Sequence, residues 1–81
     1  MTAKEMFEEL GYTYQESFFE NKLIEIKYIK PNKFTSCVTF RVEHKCFKIH
    51  RFDSEFKSAW CEIYFLKAIN KQVEELGWNN E

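Results

Sequence analysis

The stretch "LIEIKYIKPNKFTSCVTFRVEHKCFKIHRF", residues 23–52, decides the fold, because its apolar side chains recur at every second position and then change parity. In its first part Ile24, Ile26 and Tyr28 share one face of an extended chain, with Glu25 and Lys27 on the other. Successive side chains of a strand point to opposite faces, so this pattern marks a strand covered on one side. "KPNK" at 30–33 reads as a turn, since Pro31 presets the backbone angle of the second turn position. "CVTFRV" then places Val38, Phe40 and Val42 on one face, whereas in "CFKIHRF" the inward pair is Phe47 and Ile49. Setting Val42 opposite Phe47 and Phe40 opposite Ile49 requires paired positions that sum to 89. The connection is then either the two-residue loop His44-Lys45 or a four-residue loop over 43–46. Two-residue loops favour Asn-Gly chemistry, which is absent here, so the longer loop is expected.

Working outward, "YTYQES" at 12–17 reads as a further strand joined to the first through "FENK", which gives three or four antiparallel strands. Before it lies a helix. Thr2 and Glu5 have capping-box spacing, and Ala3, Met6, Phe7 and Leu10 form one apolar stripe. After the strands, Leu66, Ile69, Val73 and Leu76 form the stripe of a last helix. That helix either reaches back to Ser54 or begins near Cys61; the β-branched and aromatic content of "WCEIYF" favours the later start. Both helices run into nearly the same letters, "EELGY" at 8–12 and "EELGW" at 74–78, which hold the only two glycines of the chain. Gly at the position after a helix cap adopts the left-handed conformation, and the next residue packs back on the helix. Gly11 would thus lay Tyr12 over Phe7, and Gly77 would lay Trp78 over Val73. The carboxylates of Glu8-Glu9 and Glu74-Glu75 oppose the helix dipole, so a positive counterpart is expected, most simply the basic sheet segment.

These elements predict a two-layer α+β fold. A three- or four-stranded antiparallel meander is flanked in sequence by an N-terminal and a C-terminal helix, both packed on one sheet face. A chain of 81 residues makes one domain, 1–81, and its 44% apolar and 19% aromatic content is not that of a disordered chain. No apolar run approaches the ~18 residues of a membrane span, and the polar start "MTAKEMFEE" is not a signal peptide. A cytoplasmic protein is expected, with Cys37, Cys46 and Cys61 reduced. Charge is uneven: nine Lys or Arg against four acids over 22–57 give +5, while 1–21 carries −4 and 58–81 carries −2.

The end segments "MTAKEMFEELGY" and "LKAINKQVEELGW" resemble those of small uncharacterised proteins encoded by phages and prophages of Gram-positive bacteria. The likeness covers the two ends and leaves residues 13–63 unmatched. It implies a bacterial host cell as the setting and supplies no catalytic residues. Such proteins often carry an acidic turn before "LKAIN", where this chain has Ile63-Tyr64-Phe65 and hence additional apolar surface.

The sequence speaks against most chemistry. Cys46 and His50 lie four apart, a separation of ~13 Å along a strand, too far for one zinc ion, so no metal or other cofactor is expected. Cys37 and His50 on neighbouring strands lack an evident oxyanion element, and both glycines are used as helix stops, leaving no phosphate loop. A non-enzymatic protein follows. Lys27, Arg41, Lys48 and His50 point from the sheet face away from the core, with Arg41 opposite Lys48 in the expected register. Like charges at that spacing invite a phosphate backbone, and Phe34 could stack a base, which makes nucleic acid the second-ranked partner. The bland alternative is a face neutralised by Glu25, Glu43 and the helix carboxylates. Protein binding ranks first, because the core is too small to hold every aromatic ring. The candidate contacts are Phe52, Phe56, Trp60, Tyr64 and Phe65, with Phe18 and Phe19 in the same excess. The partner would be a host or phage protein, or a second copy of the chain.

Overall fold

The computed structural model describes residues 1–31, 36–51 and 61–79. Its order is α1 (Ala3–Glu9), β1 (Thr13–Phe19), β2 (Lys22–Lys30), β3 (Ser36–Arg41), β4 (Cys46–Arg51) and α2 (Ile63–Glu75). The four strands form one antiparallel sheet in the order β1-β2-β3-β4. Ile26 and Tyr28 of β2 and Val38 and Phe40 of β3 are buried on one face, and both helices pack there. This is the two-layer α+β meander that the alternation predicts.

Aromatic rings fill the layer between helices and sheet. Phe7 of α1 stacks on Tyr28 at 3.9 Å between ring centroids, and Phe65 of α2 meets Phe7 edge-on at 6.1 Å. Each such ring, once covered, stabilises the fold by roughly 1.5–3 kcal/mol. Two polar pairs are buried with them: the Tyr12 hydroxyl lies 3.0 Å from Ser36 Oγ, and the Tyr28 hydroxyl donates to Gln72 Oε1 at 2.5 Å. Desolvation of the Tyr28 phenol is the main reason its pKa is raised, with nearby Tyr14 and Glu75 adding to the shift.

Both helix ends follow the glycine reading. Gly11 N–H donates to Glu8 O and Tyr12 N–H to Phe7 O, the paired bonds of a Schellman stop, with Gly11 at φ +92°. Gly77 N–H to Glu74 O and Trp78 N–H to Val73 O repeat the arrangement, with Gly77 at φ +75°. Tyr12 packs edge-on against Phe7, centroids 5.6 Å apart, and Trp78 rests against Phe40 at 6.2 Å. Thr2 and Glu5 exchange both capping-box bonds, and acceptance of the Thr2 N–H holds the Glu5 carboxyl below its usual range.

Two of the helix-end carboxylates, Glu75 and Glu9, find partners on the other helix. Glu75 Oε2 accepts from Ala3 N at 2.8 Å, placing a negative charge on the first turn of α1, where the dipole favours it. At the other end of the pair the Tyr64 hydroxyl donates to Glu9 Oε2 at 2.5 Å. The two helices are antiparallel and tied at both ends, so for Glu75 and Glu9 the partner lies on the other helix rather than in the basic segment, while Glu74 meets Lys71 of its own helix.

Three expectations are corrected. Phe40 pairs with Phe47 and Val38 with Ile49, so paired positions sum to 87 rather than 89. The loop is four residues long but spans 42–45, with Lys45 at φ +52°. Val42 therefore lies in the loop, its N–H donating to Ile24 O. Arg41 faces Cys46 and Lys48 faces Thr39, so the like-charge pair Arg41–Lys48 does not form. On α2 the buried stripe is Phe65, Ala68, Ile69 and Gln72, while Leu66 is half exposed. The helix starts at Ile63, in keeping with the later of the two starts.

Candidate functional site

The site is built where two hairpins end side by side. Between β1 and β2 the chain reverses over Glu20 and Asn21, at φ +50° and +65°. Two successive positive φ values make the type I′ turn that suits the twist of paired strands. A bulge beyond Ser17 brings Phe18 opposite Leu23 and Phe19 opposite Lys22, with Ile24 set out of register. The adjacent rings of Phe18 and Phe19 are 58% and 65% exposed, and Ile24 is 38% exposed. Apolar surface thus gathers at a hairpin tip that neither helix covers.

The loop 42–45 lies beside this tip. Lys22 reaches across to Glu43 in an exposed ion pair, and that hydrogen bond holds the Glu43 carboxyl below its usual range. Between the two hairpins a depression of about 340 Å³ is lined by Phe19, Ile24, Glu25, Arg41, Glu43 and His44. Toward the opposite edge a second depression, of about 200 Å³, is lined by Thr39, Arg41, Cys46, Phe47 and Lys48. Arg41 borders both.

The predicted residues separate into four groups. Lys27, Arg41, Lys48 and His50 occupy alternate positions that place them together on the sheet face away from the helices, as expected. Lys27 leans toward Glu25 at 3.9 Å, and among the described residues Arg41 and Lys48 form no ion pair. Phe65, offered as a contact residue, is instead a core residue, 5% exposed and stacked on Tyr12 at 5.8 Å. Its i+3 and i+4 neighbours Ala68 and Ile69 belong to the same buried stripe, which explains its inward position. Tyr64 is half-buried and bonded to Glu9, and donating that bond to the carboxylate raises its pKa. Phe34, Phe52, Phe56 and Trp60 lie outside the described residues. Thr2, Gly11, Tyr12, Gly77 and Trp78 serve as caps, as read from the sequence.

Cys37 pairs with His50 across the strands, and Cys37 Sγ sits 3.6 Å from Thr39 Oγ1. Among the described residues no group of three or more His, Cys, Asp or Glu side chains could hold a metal ion. No helix among them is long and apolar enough to cross a membrane. Sequence reasoning missed Ile24, Glu43 and His44 as neighbours, although Phe18-Phe19 directly before Glu20-Asn21 was the available signal of an apolar hairpin tip. No protein family, curated protein or solved structure matches the chain.

Proposed function

We propose that this chain is a non-enzymatic accessory protein of phage or prophage origin that works in the host cytoplasm by binding another protein. The carrying observation is the apolar hairpin tip, where Phe18 and Phe19 stand 58% and 65% exposed beside Ile24. Leaving an aromatic ring in water forgoes roughly 1.5–3 kcal/mol of burial, which a partner covering both rings recovers. The likeness of the two end segments to phage-encoded proteins supports the setting. The test is affinity capture from host lysate together with sedimentation, comparing the native chain with Phe18→Ser/Phe19→Ser. The expected result is a captured protein or a self-associated species that the double substitution abolishes without changing the melting temperature. A strict monomer that captures nothing refutes the proposal.

A second reading, nucleic-acid binding, is favoured by one observation: Lys27, Arg41 and Lys48 share the sheet face that neither helix covers. It predicts salt-sensitive retention of DNA or RNA, since displaced counterions drive such binding. Retention that survives Arg41→Glu with Lys48→Glu overturns it.

A further inference from the structure

We propose that the free edge of β1 pairs with the same edge of a second copy, extending the sheet across a two-fold axis that passes beside Gln15. This rests on the protein-binding reading and names the partner as the chain itself.

The direction of the backbone groups comes first. Val42 N–H donates to Ile24 O, which continues the β2–β3 ladder one step past Glu25 and Arg41. Bonded and non-bonded pairs alternate in an antiparallel ladder, so Ile26 and Tyr28 bond to β3 while Glu25, Lys27 and Ile29 bond to β1. Their partners on β1 are Ser17, Gln15 and Thr13. The N–H and C=O groups of Tyr14 and Glu16 therefore point away from the sheet, and among the described residues nothing bonds to them.

The residues of β1 suit self-pairing. The strand reads TYQESFF, without the lysine or proline that commonly guards a sheet edge. With the axis beside Gln15, Tyr14 of each copy meets Glu16 of the other, and each such pair exchanges two N–H···O=C bonds. Thr13 meets Ser17, Gln15 meets Gln15, and no like charges oppose one another. Glu16 already accepts a hydrogen bond from Tyr14 of its own chain, so no bare carboxylate enters the junction. Moving the axis to Glu16 would set two carboxylates against each other. On β4 the same alternation points the backbone of Phe47 and Ile49 outward, but pairing them about a two-fold axis sets Lys48 against Lys48.

Surface shape agrees with this axis. Phe18 lies three residues from Gln15, about 10 Å along the strand, and Tyr12 lies as far in the other direction. Pairing sets Phe18 of one copy level with Tyr12 of the other. Phe18 sits opposite Leu23, which packs on the core beneath the helices, so its exposed ring belongs to the helix side of the sheet. On that side, beside Tyr12, a depression of about 470 Å³ is lined by Lys4, Glu8, Gly11, Tyr12, Thr13 and Tyr14. The axis brings each exposed ring to the other copy's depression.

The experiment measures association of the full-length chain by sedimentation equilibrium and backbone hydrogen exchange by nuclear magnetic resonance at low and high concentration. A dimer is expected in which the Tyr14 and Glu16 amides gain protection of roughly tenfold as concentration rises, the scale of one hydrogen bond. Gln15→Glu and Gln15→Lys each set like charges across the axis and weaken self-association roughly fivefold. An equimolar mixture of the two variants restores it, because residue 15 of one copy meets residue 15 of the other. An unchanged circular dichroism spectrum shows that both variants fold. A dimer indifferent to both substitutions overturns the β1 pairing, and so does a strict monomer. A host protein that protects Tyr14 and Glu16 in an otherwise monomeric chain overturns the second copy as occupant. Capture of a host protein in any of these cases leaves the broader protein-binding reading in place, whereas a monomer that captures nothing removes both.

Discussion

Tyr28→Phe removes a single oxygen from the centre of the molecule, and the structure sets what that costs. The hydroxyl donates to Gln72 Oε1 at 2.5 Å, and Gln72 is only 4% exposed. The phenyl ring keeps its stack on Phe7, so packing is unchanged and the loss is confined to the bond. A buried carbonyl left without a donor costs about 1–3 kcal/mol, more than the net worth of the bond itself. In a domain of this size each kcal/mol lowers the melting temperature by roughly 4–8 °C. Gln72→Leu leaves the Tyr28 hydroxyl orphaned instead and should cost a similar amount. The double variant removes both polar groups together, and its stability should lie well above the sum of the singles, with a coupling of about 1–2 kcal/mol. Urea unfolding followed by far-ultraviolet circular dichroism on all four proteins measures this directly. If the two single losses add to within about 0.3 kcal/mol, the pair does not act as a unit and the reasoning fails.

Three further outcomes are expected. At Gly11 an added Cβ would lie 3.4 Å from Lys30 Cε, an ordinary contact, so Gly11→Val is opposed by the φ of +92° rather than by space; a loss of about 1–2 kcal/mol is expected, and an unchanged melting temperature would refute the cap. Glu20→Asn with Asn21→Gly supplies the residues that two positive φ values prefer and should raise stability by roughly 0.5–2 kcal/mol in thermal unfolding; a neutral result would mean that the turn is not type I′. Burial, followed by a hydrogen bond with Glu16, pushes the Tyr14 phenol up to about 12. A raised folded pKa favours the neutral form, so this contribution is complete below the unfolded value of about 10 and is lost as pH rises through 12. Phenolate absorbance of the native chain against Tyr14→Phe reads the effect, and ionisation of Tyr14 near pH 10 would contradict it.

The sequence revealed the elements better than their register. Thr2 with Glu5, and each Gly with the aromatic residue after it, are short-range patterns whose geometry is fixed within one helical turn, and their hydrogen bonds form as read, with the Trp78 ring lying against Phe40. The β3–β4 register was not legible in the same way. Pairings that sum to 87 and to 89 both put even residues of β3 opposite odd residues of β4, so alternation satisfies either one. A loop with Lys45 at positive φ made the choice, and nothing in "VEHKC" signals it. The buried face of α2 was misread for a related reason: Ala68 and Gln72 do not count as apolar anchors, yet one is small enough and the other is paired inside the core. As for the interaction surface, an excess of rings was visible, but which rings are covered depends on packing. That is why Phe65 moved to the core while Phe18 and Phe19 stayed outside.

The clasp between the helices bears on how the chain is made. Glu75 closes the first turn of α1 across 72 positions of sequence, and Phe65, Ala68 and Ile69 cover rings that α1 and the sheet already hold out. A nascent chain leaving the ribosome with its four strands complete still lacks α2, and it shows part of the apolar side of the sheet to water. The native layer can form only after residue 75 has left the exit tunnel. Formation of the layer therefore waits for α2, and the interval before it arrives is when chaperones that bind apolar surface would find the chain.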